Sequence, residues 1–262
     1  MGPGDLIGLM PLWAVFVLTM AICIGSVAAG TALARIAVRH EKEREPESPL
    51  GSQVGAMLGL LAFILAFTFG LTASRYEARK QLVLDEANAI GTTYLRADLL
   101  PDKSRLEVRK LLREYTAIRV EVTPENVRET LQQSESMHRQ LWSQAKLLVH
   151  EEMDSEIRSL FIASLNELID LHQSRKTVSL QYKIPGTVWL VVYLLSVLSM
   201  LAAGYQIGMS GRRRLRGTPA LAAAFSVVIV MIADIDRPDQ GLMRVSQQPL
   251  ADVQQMMLDD SP

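Results

Sequence analysis

Residues that could carry enzymatic or metal chemistry are few and scattered in this sequence. The four histidines, His40, His138, His150 and His172, lack the spacing of metal ligands. The single cysteine, Cys23, lies in an apolar run, so an intrachain disulfide is excluded. No His-Glu-x-x-His, phosphate-binding glycine loop or Gly-x-Ser-x-Gly element occurs. We therefore expect no enzymatic activity, no catalytic residue, no cofactor and no metal site.

A cluster of charges at the end of an apolar segment is the second group of residues that could have a functional role. Asp234, Asp236 and Arg237 follow the uncharged residues 217–233. Ionisable groups at membrane depth are costly, so they usually pair or face water. One interpretation is an interfacial salt bridge, within the turn or from Asp234 or Asp236 to Arg75. The other is an ion-attracting vestibule at the mouth of a pore.

The segregation of apolar and charged residues predicts a membrane protein. Apolar residues make up 49% of the 262-residue chain and charged residues 21%, and the net charge of −1 favours no nucleic-acid partner. Four uncharged stretches are interpreted as helices that cross the lipid bilayer, and the last is slightly short, so Asp234 or Asp236 should lie at or just inside the membrane boundary. They are residues 6–34, 50–74, 184–211 and 217–233.

The second of these stretches carries small residues at helical spacing. Its stripe consists of Gly51, Gly55, Gly59, Ala62, Ala66 and Gly70. Such a face permits close packing of helices, within the subunit or between subunits. Alternatively, the helix repeats around a symmetry axis, and Phe63 and Phe67, one turn apart, form a hydrophobic constriction in a pore. Both can hold, because the small residues and the two phenylalanines occupy different faces.

Residues 75–183 predict a bundle of amphipathic helices. Apolar positions recur at spacings of three and four, and no segment alternates with period two, so we predict no strand. Leu99–Asp102 should end the first helix, and Thr123-Pro124 should begin the third, which is either separate from the fourth or continuous with it. Arg105, Arg109 and Arg113 share one face, which is either a solvated surface or an anion-guiding one.

These patterns together predict an all-α integral membrane protein. Four transmembrane helices are expected, with a long-helix extramembrane bundle inserted between the second and the third. The corresponding regions are 1–74, 75–183, 184–235 and a polar C-terminal tail, 236–262. Nothing breaks the helical pattern after Ser74, so bundle helices are expected to extend transmembrane helices.

Arg and Lys residues in the short loops predict the orientation. Residues 35–49 and 211–217 carry four basic residues each, whereas the N-terminus carries none and the segment after Ala233 carries two. Basic short loops stay in the cytoplasm. We therefore expect both termini and the helical bundle on the outer side of the membrane. The loop GRRRLRG also suits contact with anionic lipids, with regulatory binding as the alternative.

Two blocks of sequence resemble a known family. They are SRYEARKQLVLDEANAIGTTYLRADLLP (74–101), which follows the glycine-rich helix, and DIDRPDQGLMRVSQQPL (234–250). Both are similar to the bacterial inner-membrane proteins that carry a bestrophin-like domain. The resemblance implies a pentameric anion channel with four transmembrane helices per subunit and a pore lined by the second. Phe63 and Phe67 would correspond to the aromatic neck.

The sequence departs from bestrophins in two respects. Asp234-Ile-Asp236 is sparser than the acidic run of a bestrophin calcium clasp, and the charge count places the bundle outside, where bestrophins keep theirs in the cytoplasm. Passive ion conduction by a homo-oligomer is the leading functional hypothesis, with small inorganic ions as the cargo. The alternative is a non-conducting membrane scaffold or sensor whose bundle binds a partner.

Overall fold

The computed structural model describes residues 7–8, 10–40, 48–151, 153–180, 182–210, 217–237 and 241–260. Within these residues the protein is all helical, without strands, which confirms the predicted class. Its helices are α1 (Leu12–His40), α2 (Ser48–Ala97), α3 (Asp102–Val120), α4 (Val127–Leu147), α5 (Ser155–Leu180), α6 (Gly186–Met209), α7 (Thr218–Asp236) and α8 (Gln248–Asp259). The basic loop 211–217 lies outside the described residues except for Gly217.

Four of these helices, α1, α2, α6 and α7, are long and apolar enough to cross a membrane. This confirms the four predicted apolar segments. The first helix begins at Leu12 because Pro11 lacks an N–H group and its carbonyl accepts the N–H groups of Ala14 and Val15 at 2.9 and 3.2 Å. The fourth extends to Asp236, so Asp234 and Asp236 belong to its last turn.

The second membrane helix and the first bundle helix are one continuous element. Helix α2 has 50 residues and a length of about 75 Å at ~1.5 Å per residue. Its first half is the uncharged segment 50–74, and its second half, 75–97, carries charges on its solvated faces. The helix ends at Ala97, and the N–H groups of Asp98, Leu99 and Leu100 form turn hydrogen bonds to carbonyls three residues back.

The chain folds into two compact units. The first contains the described residues up to Ser74 together with 183–237 and 241–243; the second contains 75–182 and 244–260. The core of the first unit includes Val15, Leu61, Leu65, Trp189 and Ile229. The core of the second includes Tyr94, Tyr115, Phe161, Leu168 and Leu250. The second unit thus combines α3–α5 with the charged half of α2 and with α8.

Close helix packing in the first unit occurs between α1 and α6. A Cβ atom added at Gly30 would lie 2.0 Å from the carbonyl oxygen of Leu201, and one at Gly204 would lie 2.2 Å from that of Val27. Only glycine allows backbones to approach this closely. The sequence signal for this contact is the spacing of Gly204 and Gly208, which are four residues apart in α6.

The small-residue stripe of α2 has a different environment. Cβ atoms added at Gly55, Gly59 and Gly70 would meet no atom of the described residues within 4 Å, and Ala62 and Ala66 are exposed. At Gly51 the nearest atom is Nε2 of Gln206, at 3.2 Å. The described residues therefore show no close packing of Gly55, Gly59 or Gly70 against another helix of the same subunit. Packing between subunits stays a prediction.

One boundary in the bundle differs from expectation, and the structure decides between the two alternatives for another. Helix α4 begins at Val127 rather than at Pro124, because the Asn126 side chain closes a turn: its Oδ1 accepts the N–H of Thr123 at 2.7 Å and its Nδ2 donates to the Glu121 carbonyl at 3.0 Å. Helices α4 and α5 are separate. Asp154 precedes α5, and its Oδ1 accepts the N–H of Glu156 at 2.7 Å.

The C-terminal region, expected to be a polar tail, contains helix α8. Leu250 and Met257 are buried in the core of the second unit. They lie seven residues apart, on one face of a helix whose other residues are largely polar. Two apolar anchors in 12 residues are a weak sequence signal, which is why the sequence predicts a polar tail here.

Candidate functional site

The outward face of α2 carries the two pore candidates. Leu61 and Leu65 face the core of the first unit, with Leu61 fully buried. Phe63 and Phe67 point away from it and are 65% and 60% exposed. Side chains two residues apart on a helix lie on roughly opposite faces, which explains the contrast. One chain alone leaves both phenylalanines uncovered.

The small-residue stripe runs beside these phenylalanines on the same helix. Gly59, Ala62 and Ala66 are exposed, and each precedes or follows a phenylalanine by one to four positions. The exposed surface of α2 therefore has two adjacent strips, one nearly bare backbone and one aromatic. A neighbouring helix can approach the bare strip closely.

Asp234 shapes the chain that follows α7. Its Oδ1 accepts the N–H of Leu242 at 2.6 Å and its Oδ2 accepts the N–H of Met243 at 3.1 Å. A Cβ at Gly241 would lie 2.5 Å from Oδ1, so the backbone passes directly over the carboxylate. The side chain is 5% exposed. This carboxylate is thus satisfied by backbone donors.

The other boundary charges also bind backbone groups. Nη2 of Arg237 donates to the carbonyls of Ile7 and Met10 at 2.7 and 2.6 Å, and Oδ1 of Asp236 accepts the N–H of Ile184 at 3.0 Å. These bonds tie the ends of α1, α6 and α7 together. Arg75, the fourth predicted charge, is half-buried where the charged half of α2 begins.

A buried ionic cluster in the second unit was not predicted. Glu86 of α2 has no exposed surface. Its Oε1 accepts the hydroxyl of Tyr115 at 2.5 Å and Nε of Arg119 at 3.0 Å, and its Oε2 accepts Nη2 of Arg119 at 3.1 Å. Nη1 of Arg175, from α5, donates to the same Oε2. One carboxylate thus joins three helices.

The two arginines keep the Glu86 carboxyl ionised. Burial raises the pKa of this group, but Arg119 and Arg175 outweigh burial and lower the pKa to about 2. The pKa of Tyr115 is raised well above its usual value by burial and by the adjacent carboxylate, so the phenol stays a donor. The cluster therefore contains two guanidinium groups and one carboxylate, a net charge of +1 for these three side chains.

Two histidines adjoin this cluster. The rings of His138 and His172 are 4.7 Å apart between centroids, in an edge-to-face arrangement. Nδ1 of His172 lies 3.2 Å from the Tyr115 hydroxyl. Among the described residues, neither Nε2 atom has a hydrogen-bond partner. Burial lowers the pKa of His138 to about 4 and, with Arg119, that of His172 to about 3. Both rings are therefore neutral near pH 7.

Acidification from pH 7 to pH 5 is expected to lower the free energy of unfolding. Below pH 6.5, the usual pKa, the unfolded chain binds protons at His138 and His172, whereas the folded chain, with pKa values of about 4 and about 3, does not. Each histidine should approach a loss of about 1.4 kcal/mol per pH unit in this window. Glu86 stays ionised in the folded chain, and in the unfolded chain a glutamate with its usual pKa of 4.5 begins to bind protons only near pH 5, so Glu86 adds a small loss of the same sign at the lower end of this window.

Chemical unfolding at pH 7, 6 and 5 measures this dependence. The doubly substituted variant His138→Gln, His172→Gln should show a shallower slope than the native chain. His150→Gln is the matched control, because His150 is exposed and should leave the slope unchanged. Equal slopes for the native chain and the double variant would contradict the assignment.

The arginine face of α3 supports the bundle rather than an open anion path. Nη1 of Arg109 binds Asp98 at 2.5 Å, and its Nη2 binds Tyr94 Oη at 2.6 Å and the Asp260 carboxylate. Arg113 also donates to Tyr94 Oη, at 2.7 Å. These bonds connect α3 to the end of α2 and to the end of α8.

The fold resembles solved structures of a bacterial protein. A crystal structure of a bacterial bestrophin homologue from Klebsiella pneumoniae matches with a TM-score of 0.65 at 13% identity, over 95% of this chain and 98% of that chain. A single-substitution variant of that homologue gives a TM-score of 0.67 at the same identity and coverage. At this identity the likeness shows the fold. No curated protein matches the sequence.

A family profile covers most of the chain. The profile of the Bestrophin-like domain matches residues 21–250. The match includes three of the membrane helices in full, most of α1, and the whole bundle up to the start of α8. The chain therefore belongs to the family of membrane proteins with a Bestrophin-like domain.

Proposed function

We propose that this protein is a homo-oligomeric ion channel of the bacterial inner membrane whose axial pore is lined by α2. The observation that carries the proposal is the outward face of α2, where Phe63 and Phe67 are exposed in the subunit. A large apolar surface beside a bare-backbone strip suits burial against symmetry-related copies. Family membership supports channel function, and the resemblance to bestrophins favours five subunits and anions as the cargo.

In this arrangement the two strips of α2 have separate roles. The stripe from Gly51 to Gly70 packs against the neighbouring subunit, and Phe63 and Phe67 point to the axis. Rings of phenylalanine at two successive turns form an apolar constriction that limits ion passage by excluding water. The charged half of α2 and helices α3–α5 form an extramembrane bundle inserted in the chain between the second and third membrane helices.

The double variant Phe63→Ala, Phe67→Ala is expected to raise ion flux several-fold. Truncating both rings widens the constriction and lets water fill it, which lowers the barrier for ions. Flux of anions and cations from liposomes that contain the purified protein measures the effect. Leu190→Ala is the matched control, because Leu190 is an exposed apolar residue of α6 and should not alter flux.

Absence of flux from the native protein, together with no effect of the double variant, would reject the channel. A monomer, or a dimer joined through the glycine stripe, would also exclude an axial pore. Either result would favour the non-conducting scaffold or sensor.

The basic loops are proposed to face the cytoplasm, which places both termini and the bundle on the outer side. The reason is the charge asymmetry between the two short loops and the other polar segments. A reporter that is active only in the cytoplasm, fused after Pro262, should be inactive, and a reporter that is active only outside should be active at the same site. The reverse pair of results would contradict this orientation.

A further inference from the structure

Residues 241–243 return to the end of α7 and present two large apolar side chains there. Leu242 is 88% exposed and Met243 is 51% exposed. The segment belongs to the first unit, which also contains the four membrane helices up to Ser74 and from residue 183 to 237. Contact with water at both side chains is unfavourable, so an apolar partner would stabilise this segment, here called the apolar loop.

The buried carboxylate of Asp234 fixes the backbone of the apolar loop. Its two oxygens accept the N–H groups of Leu242 and Met243, at 2.6 and 3.1 Å. The backbone of Gly241 lies so close that an added Cβ would be 2.5 Å from Oδ1 of Asp234. Hydrogen bonds to an ionised acceptor are stronger than neutral ones. The loop is therefore held in one orientation, with its N–H groups directed to the carboxylate and its side chains at the surface.

The length of α7 places the apolar loop near the membrane boundary. This helix has 19 residues, and at ~1.5 Å per residue its length of about 28 Å is close to the ~30 Å thickness of the hydrocarbon core of a bilayer. Asp234 belongs to the last turn of the helix and contacts the loop directly. The two apolar side chains are thus near the level where acyl chains meet lipid headgroups.

An exposed tryptophan marks the same end of the first unit. Among the described residues, Leu242 and Trp13 are the two most exposed large hydrophobic side chains, and Trp13 is 71% exposed. Trp13 lies in the first turn of α1, and Arg237, which follows α7, donates to the carbonyl of Met10 at 2.6 Å just before that turn. Tryptophan is enriched at membrane–water interfaces. Its position independently favours lipid around this end of the unit.

We propose that the apolar loop is an interfacial anchor, in which Leu242 and Met243 insert among the lipids at the membrane boundary and Asp234 positions the loop. The partner is the surface of the lipid bilayer. Interfacial segments bury apolar side chains about 5–10 Å into the boundary between headgroups and acyl chains, which would remove both side chains from water. The anchor is independent of the proposed channel, because lipid contact is measured without ion flux and applies equally to a non-conducting scaffold.

A spin label in the apolar loop tests the proposal on the full-length protein in vesicles of phosphatidylcholine and phosphatidylglycerol. Cys23 is the single cysteine, so Cys23→Ala gives a cysteine-free background in which Leu242→Cys carries the nitroxide. Collision of the label with oxygen, which concentrates in lipid, is compared with its collision with a water-soluble nickel chelate. The ratio of oxygen to nickel collision rates should be several-fold higher at position 242 than at an exposed position in water.

Two exposed leucines are the matched controls. Leu106→Cys, on α3 in the bundle, should give the low ratio of an aqueous position. Leu190→Cys, on α6, should give the high ratio of a lipid-facing position. Met243→Cys repeats the measurement at the second side chain, which keeps the test decisive if the Leu242 variant does not fold.

Asp234→Asn tests the positioning role in the same assay. An asparagine side chain accepts hydrogen bonds through one oxygen only, so one of the two N–H groups of the loop loses its acceptor and the loop loosens. The collision ratio at position 242 should then fall several-fold in protein whose far-UV circular dichroism still shows the native helix content. A role of Asp234 in folding alone would leave this ratio unchanged.

The proposal is overturned if positions 242 and 243 give the low ratio of the Leu106 control, because the loop then lies in water. It is also overturned if oxygen and the nickel chelate are both excluded, because a neighbouring subunit then covers the loop. An unchanged ratio in Asp234→Asn would overturn the role assigned to Asp234.

Discussion

Replacing Glu86 with Gln is expected to lower the free energy of unfolding of the second unit by about 3–5 kcal/mol. The substitution keeps the size of the side chain and removes its charge. Arg119 and Arg175, both buried, then lose the carboxylate that accepts three of their hydrogen bonds. Burying two guanidinium groups without a counter-ion costs far more free energy than the contacts between Glu86 and the two arginines contribute to stability.

Chemical unfolding of the purified protein, followed by Trp142 fluorescence, measures this loss. Trp142 lies in α4, within the second unit, and in a Trp13→Phe, Trp189→Phe background it reports on that unit alone. Glu135→Gln is the matched control. Glu135 pairs with Lys176 at 2.7 Å, but both side chains are about a third or more exposed, so its removal should cost about 0–1 kcal/mol.

A triple variant separates charge from packing. Glu86→Leu with Arg119→Met and Arg175→Met replaces the cluster with apolar side chains of similar length. Such replacements of buried ion networks are often neutral or stabilising. If the triple variant is as unstable as Glu86→Gln, the uncompensated arginines are not the cause of the loss, and the electrostatic explanation fails.

The membrane segments could be predicted from sequence because their signal is local. A charge in the bilayer interior is costly, so four uncharged stretches mark four spans. Continuity of α2 was likewise foreseeable, since no proline or glycine interrupts residues 71–97 apart from Gly91. The start of α4 could not be predicted in this way. The side chain of Asn126 closes a turn there, and this turn competes with the helix start that Thr123-Pro124 would favour.

The buried cluster could not be found in the same way, because it depends on long-range contacts. The cluster draws on three helices, with Glu86 in α2, Arg119 in α3 and Arg175 in α5. In the sequence, Arg119 lies 33 positions after Glu86 and Arg175 lies 89 positions after it. In the sequence, each of these three residues resembles an ordinary solvent-exposed charge on an amphipathic helix. A usable signal was present: Glu86 lies between Val83 and Ala87, on the apolar stripe of its helix, and an acidic residue on a buried face needs a cationic partner.

The role of the small-residue stripe also lay beyond sequence reasoning. Glycines at spacings of four occur in α2 and in α6, and the pattern is the same whether the partner is another helix of the chain or another subunit. The structure separates the cases: Gly204 and Gly208 contact α1, whereas no atom in the described part of the chain lies within 4 Å of a Cβ added at Gly55 or Gly59.

Substituting Gly30 with Ala is expected to destabilise the first unit by at least about 3 kcal/mol. The new methyl group would lie 2.0 Å from the carbonyl oxygen of Leu201 and 2.8 Å from the backbone nitrogen of Tyr205. Backbone atoms cannot rotate away as a side chain can, so α1 and α6 must separate. Overpacking in a well-packed interior costs about 1–3 kcal/mol, and occasionally more, even where side chains can adjust.

Gly25→Ala is the matched control on the same helix. A Cβ at Gly25 meets none of the residues that the structure describes within 4 Å, so the change should stay within about 0.5 kcal/mol. Thermal unfolding in detergent compares the two variants. Equal midpoints for Gly30→Ala and Gly25→Ala would contradict the close approach of α1 and α6.

The same measurement on Gly59→Ala distinguishes the two uses of small residues in this protein. Within one subunit the added methyl group has no neighbour among the described residues, so the unfolding of the isolated subunit should not change. If the stripe packs between subunits, as proposed, the methyl group separates neighbouring α2 helices, and native mass spectrometry should show a smaller oligomeric fraction on dilution. An unchanged oligomer would mean that the stripe faces lipid or the pore lumen, and the interface would then have to lie on another surface of the subunit.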